Sequence, residues 1–385
     1  MKYDFDTVIP RRGTNSYKWD TPGSEEVLPM WVADMDFRTA PEIIEAMQKR
    51  LEHGVFGYAK TPGAYFEATM RWFERRHGWR MQREWMLNTT GVVPAISAIL
   101  QGLATPGERV ITLTPVYNCF FSSIRNSGCE LADCPLHYEG GRYSIDYAAL
   151  EAAAAHPAAK YLLLCNPHNP SGRVWQRGEL EEVDRICRRH GVFVISDEIH
   201  CEMLSPGFCY TPYATVTAEA SRGSVTCVSP SKSFNIAGIQ MANIVCEDAD
   251  VRRRIEHALE VNEVADMNVF AVPALIAAYE KGEPWLNALN AYFHENDVAF
   301  RAYFAEHMPQ YVIPPKEASY LEWVDCTASG MDGDEVARRL LEEAQLMVNP
   351  GSLYGSGGRP FIRVNIACPR TLLMQGLEKL HQILK

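Results

Sequence analysis

Nowhere does the 385-residue chain contain eighteen or more consecutive apolar residues, so no membrane-spanning helix is expected. The opening MKYDFDTVIPRRG has no apolar core of the secretory kind, so no signal peptide is expected. No CxxC pair occurs among the 11 cysteines, an odd number. That argues against a disulfide framework and a zinc site, and for reduced thiols packed mostly as small apolar side chains. The cytoplasm is the expected compartment. The 11 histidines show no metal-ligand spacing, so no metal is expected. Basic runs are also missing. Arg252, Arg253 and Arg254 sit among acids, and the net charge is −11. Nucleic-acid binding requires a basic face and is therefore not expected. No internal repeat or low-complexity tract is visible.

What remains is an ordinary globular composition, 47% hydrophobic and 22% charged, long enough for two or three domains. The first 45 or so residues are irregular and rich in aromatics and turn formers, as in RRGTNSYKWD and LPMWVADMDF. They read as an N-terminal arm, 1–45, that packs against the body or lines a site. From 46 to 280, short apolar runs alternate with amphipathic stretches. Strands are expected at 109–114, 161–165, 192–196, 224–228 and 243–246. Helices are expected at 65–76, 92–103, 147–155, 178–190 and 251–258. This alternation implies βαβ units and a mostly parallel sheet. Residues 281–385 read as a smaller α/β domain, which the arm joins. Its expected strands are 320–324 and 360–365, and its helices 334–344 and 370–383, with Asp332 as a cap.

In parallel sheets ligands bind at the carboxyl ends of the strands. Three motifs fall there: Asn166-Pro-His-Asn-Pro-Ser-Gly172, Asp197-Glu-Ile-His200 and Ser229-Pro-Ser-Lys232. Pyridoxal 5′-phosphate (PLP) needs a lysine for its aldehyde and a carboxylate beside its ring nitrogen. It also needs a hydrogen-bond donor for its phenolic oxygen, and N–H groups and hydroxyls for its phosphate. Lys232, Asp197, Asn169 and the pair Ser229/Gly91 can meet these needs in turn. Taken singly, each has an ordinary explanation: a solvated lysine, a capping aspartate, a turn, a helix-opening glycine. Their joint occurrence in this order at strand ends favours the functional one.

These three motifs resemble the signatures of fold-type I PLP enzymes, the aspartate aminotransferase superfamily. The separations agree with it: 28 from Asn169 to Asp197 (197 − 169) and 35 from Asp197 to Lys232 (232 − 197). The resemblance implies an α/β, aspartate aminotransferase-like fold. Its large domain has a mostly parallel sheet of the seven-stranded type flanked by helices, and a smaller α/β domain follows. It implies Lys232 as the Schiff-base lysine, Asp197 at the ring nitrogen and Asn169 at the phenolic oxygen. It places Tyr117 as the ring stacked on the cofactor, and Gly91 and Val92 in the phosphate cradle. Arg363 would grip the substrate α-carboxylate, with Ala33, Asp34 and Asn169 beside it. Tyr58 would reach the phosphate of a partner subunit, which implies a homodimer with shared sites.

Two departures narrow the subgroup. His200 stands where many aminotransferases carry tyrosine, and Gln240 where they often carry a phosphate-binding arginine. Phosphate charge would then fall to backbone dipoles, Ser229, Ser231 and the partner's tyrosine. This combination, with NSYKWD, WVADMDF, SKSFNIAG and RVNIACPR, resembles the cystathionine β-lyase or cysteine–sulfur lyase subgroup (MalY/PatB-like proteins). The expected reaction is β-elimination on a small sulfur-containing amino acid, with Lys232 as general base at Cα. The competing expectations are transamination on the same cofactor, and a PLP-carrying regulatory protein with little turnover. Gly351–Gly358 lacks the context of a dinucleotide site, and Cys165 is expected to be packing.

Overall fold

The computed structural model describes residues 3–385. Its centre is a seven-stranded sheet: β1 Met86–Thr89, β2 Arg109–Thr114, β3 Glu130–Pro135, β4 Ala159–Cys165, β5 Phe193–Asp197, β6 Ser224–Val228 and β7 Ala242–Val245. The spatial order is β1-β7-β6-β5-β4-β2-β3. The pairings β3–β2–β4–β5–β6 are parallel, and β7 runs antiparallel to both of its neighbours. The sheet is mostly parallel, as expected. Every residue of β6 and β7 is buried, and all but Lys160 of β4. Strands covered on both faces read as unbroken apolar runs, which is why these were legible.

Successive side chains alternate between two cores. Leu162, Leu164 and Val194 face Trp175 and the helix Arg177–His190 through Leu180, Val183 and Ile186. Leu163, Ile195, Val225 and Ile244 face helix α1 (Val92–Leu103) and the helix Ala249–Val261 through Ile96, Ile99, Ile255 and Leu259. Truncating a fully buried residue such as Ile99 to alanine would cost about 2–5 kcal/mol.

The C-terminal part holds a three-stranded antiparallel sheet, β8 Leu321–Asp325, β9 Asn349–Pro350 and β10 Phe361–Asn365, in the order β8-β10-β9. Helices Gly333–Ala344 and Arg370–Leu384 accompany it. Asp332 caps the first, its carboxylate accepting from Glu335 N at 2.9 Å. The arm is tied to this part, since Leu28–Pro29 pairs in parallel with Leu346–Met347. Phe5, Met35 and Phe37 share a core with Tyr292, Phe293 and Leu373.

Several elements differ from expectation. Asp197 is the last residue of β5 and does not follow it, because its backbone still pairs with Cys165 and Cys227. The strands β1 and β3, the helix Pro41–His53 and the 25-residue helix α2 (Glu283–His307) were not anticipated. β3 lies at the sheet edge, where four of its six residues are exposed, so it carries little apolar signal.

Candidate active site

β4, β5 and β6 are parallel neighbours, so their carboxyl ends lie side by side. Register places Cys165 opposite Asp197, and Asp197 opposite Cys227. The three motifs therefore emerge together at one edge of the sheet. A cavity of about 270 Å³ lies there, lined by Lys232, Asp197, Asn169, Tyr117, His200 and Ser231, among others. Gly91, Val92 and Ala33 complete the wall with Gln240.

Asp197 is 3% exposed and has one hydrogen bond, from Ile199 N to Oδ1 at 3.1 Å. Burial, only partly offset by that N–H and by Lys232, pushes its carboxyl up to about 7. Lys232 moves the other way. Burial, with the like charge of Arg363, brings its amine down to about 8. Lys232 Nζ donates to Ala33 O at 2.5 Å, and Tyr320 Oη donates to the same carbonyl at 3.0 Å. Burial, with Lys232 and Arg363 nearby, brings His200 down to about 3, so it is a neutral imidazole. Its Nδ1 is buried and has no hydrogen-bond partner among the described residues. Burial pushes the Tyr117 phenol well up, and the Cys119 thiol beside it acts in the same direction.

Asn169 sits in the loop after β4. The buried His168 holds this loop, its two ring nitrogens placed 2.8 Å from Ser171 Oγ and 3.1 Å from Leu113 O. Asn169 Oδ1 accepts from Arg363 Nη1 at 3.3 Å. Arg363, on β10, donates through Nη2 to Trp31 O at 2.9 Å, and its guanidinium lies 5.0 Å from the Tyr354 ring centre. Its Nε is buried without a partner. Gly91 precedes the first turn of α1 with no side-chain cap, leaving N–H groups free at the cavity.

Four expected site residues are not in this wall: Arg363, which touches it through Asn169, and Ser229, Asp34 and Tyr58. The Ser229 hydroxyl donates to Met241 O at 2.6 Å and accepts from Ser231 N at 3.1 Å, and it does not line the cavity. Asp34 lines a neighbouring cavity and pairs with Arg11 at 2.6 Å. Tyr58 is fully exposed on the surface. The Cys165 thiol is buried, and burial pushes it far above its ordinary range.

The sequence reading missed the residues that lash the arm over the site. Asn365 Nδ2 donates to Val32 O and Asp34 O, each at 2.6 Å. Asn235 donates to Met35 O and Phe37 O, and accepts from Met35 N. Asn349 donates to Trp31 O. Asn235 and Asn365 lie inside the stretches SKSFNIAG and RVNIACPR, but nothing local signals their distant backbone partners.

Comparison with known proteins places this arrangement. Cystathionine beta-lyase PatB of Bacillus subtilis is 39% identical, over 99% of this chain and 100% of its own. Protein MalY of Escherichia coli is 35% identical, over 98% of each. The solved structure of cystalysin from Treponema denticola, which contains a pyridoxal 5′-phosphate cofactor, covers 100% of this chain and 99% of its own, with 34% identity and a TM-score of 0.97. The model of aminotransferase class I and II matches residues 25–380, and the chain belongs to that family.

Proposed function

We propose that this chain is a PLP-dependent carbon–sulfur β-lyase. It cleaves the Cβ–S bond of cystathionine- or cysteine-type S-substituted amino acids and releases a thiol, pyruvate and ammonia. The observation that carries this reading is Asp197, a buried carboxylate with one backbone donor and no paired cation, in the same cavity as Lys232. Such an anion is costly until a cation stands opposite, and the protonated ring nitrogen of PLP is that cation. The other residues fit the cofactor as well. Lys232 offers an amine that is partly neutral near pH 8. His200 Nδ1 lacks a protein partner. The open N-terminus of α1 suits a phosphate. Gly91 has an extended φ of 168°, and a Cβ there would meet nothing closer than Pro94 at 3.4 Å. The chain's own packing does not demand glycine at this position, whereas a closely approaching phosphate would.

When bound, the cofactor withdraws electrons from the substrate Cα. Lys232 Nζ removes the Cα proton, with Ala33 O orienting the amine. Arg363 pairs with the α-carboxylate while Asn169 and Trp31 O hold its guanidinium in the required plane. Asp197 would hold the proton on the ring nitrogen, Asn169 and His200 would serve the phenolic oxygen, and Tyr117 would stack on the ring, all four lining the one cavity. As the Cβ–S bond breaks, its electron pair leaves on sulfur, and the Lys232 ammonium returns a proton to that atom. In this reading 1–45 is the arm, 46–280 the cofactor-binding domain and 281–385 the small domain. Tyr58, on a surface segment with exposed Val55 and Phe56, reaches the second site of a homodimer. A cytoplasmic setting fits the unpaired state of all 11 cysteines.

The test feeds cystathionine to the purified holoenzyme with and without a keto acid. Pyruvate should form without the keto acid, and Lys232→Ala should remove both the visible absorption band and the pyruvate. Turnover that depends on the keto acid would overturn the lyase reading in favour of transamination.

A further inference from the structure

A second cavity, about 610 Å³ against about 270 Å³ for the first, shares Ala33, Lys232 and Ala237 with it. Its acids are already matched. Arg11 bridges Asp34 at 2.6 Å and Asp36 at 2.7 Å. Lys18 takes the other oxygen of Asp36 at 2.7 Å, and Trp19 Nε1 donates to Asp36 Oδ1 at 2.7 Å. Arg38 lines the same cavity, is exposed, and has no hydrogen bond, ion pair or ring contact among the described residues. Arg11 and Lys18 thus match the two carboxylates, and of the arginines at this cavity Arg38 is the one without a partner among the described residues. Its backbone position is nevertheless fixed, because Asn235 grips the carbonyl of the preceding Phe37 at 2.8 Å.

We propose that Arg38 determines specificity by receiving an anionic group, foremost a carboxylate, at the far end of the substrate's sulfur substituent. This rests on the lyase reading and names the class of substituent. The reacting Cα and Cβ must lie beside Lys232, and the α-carboxylate is taken by Arg363. The substituent on sulfur then extends into the remaining space, the larger cavity, past the apolar side chains of Ile9, Val32 and Phe37. Lys232 is half-buried and Arg38 exposed, so the guanidinium lies on the solvent side, where a substituent of several atoms ends. A guanidinium with no competing partner offers a carboxylate a two-pronged hydrogen bond. A substrate with only hydrogen or methyl on sulfur would leave this cavity to water.

The test compares S-carboxyethylcysteine with S-propylcysteine, which match in length but differ in end charge. Binding to the holoenzyme is read from the change in its visible band, and turnover from pyruvate. The wild type should bind the acid more tightly by roughly tenfold. Arg38→Ala and Arg38→Gln should each erase that preference by weakening only the acid, and Arg38→Lys should keep part of it. The preference should shrink as salt is raised. Equal binding of both compounds by the wild type would overturn the proposal, and so would an equal loss for both in Arg38→Ala. A binding preference that depends on Arg38, without pyruvate from either compound, would leave the proposal standing and sink the lyase reading. Pyruvate from both compounds with no preference would do the reverse.

Discussion

Asp197 and Lys232 share one cavity, yet burial moves both toward their neutral forms, the acid up to about 7 and the amine down to about 8. Each shift carries a sign for the protein without cofactor. Folded Asp197 holds its proton over a window, from its ordinary 3.8 to about 7, in which the unfolded chain has lost it. Stability should therefore fall as pH rises through that window. Asp197→Asn should flatten the fall, by an amount on the order of 4 kcal/mol, as read from denaturant unfolding at pH 4 and pH 7. In the proposed reading Lys232 captures the aldehyde, which needs the free amine. The rate of PLP uptake by the apoprotein should climb with pH and level off above about 8, as followed by the visible band. Lys232, Asp197 and Asn169 were legible because each closes or follows an apolar run that could only be a buried strand. Ser229 shows where such reading stops, since its hydroxyl is engaged by Met241, 12 residues away.

Elements were readable in proportion to how completely they are buried. The runs of β4 to β7 announced themselves, whereas β3, with four exposed residues, did not. Helix α2 escaped because its buried face mixes Trp285, Tyr292, Asn296 and Asp297 with leucine and phenylalanine, which blurs the apolar period. The arm is the element least visible in sequence, since short asparagine contacts hold it. Asn235→Ala removes three of these contacts. Amide exchange over residues 31–38 should then quicken by at least roughly tenfold, while helices on the far side of the sheet keep their protection. Loss of these part-buried bonds should lower global stability by about 1–3 kcal/mol, measurable by denaturant unfolding. Unchanged exchange would mean that Asn349 and Asn365 suffice to hold the arm.

Across the whole molecule the site is assembled from opposite ends of the chain. Arg363 reaches Trp31 across 332 positions, and Asn365 reaches Val32 across 333. No local pattern encodes such pairings, so the resemblance to known enzymes singled out Arg363 and Ala33, while their contacts with Trp31, Lys232 and Tyr320 came from the fold. If Tyr58 serves the partner's site, Lys232→Ala and Tyr58→Ala subunits should complement each other once mixed and allowed to exchange. Pyruvate formation should exceed the sum of the two variants alone, because one site in each hybrid has both residues intact. No gain would assign Tyr58 to its own chain. The acceptor shared by Lys232 and Tyr320 is a main-chain carbonyl, that of Ala33. Exchanging the side chain at that position leaves the acceptor in place, so drift at position 33 can go unpunished. Inserting or deleting a single residue between Trp31 and Asp36 would slide the carbonyl off its two donors. Descendants of this protein should therefore vary at position 33 but hardly at all in the length of this stretch.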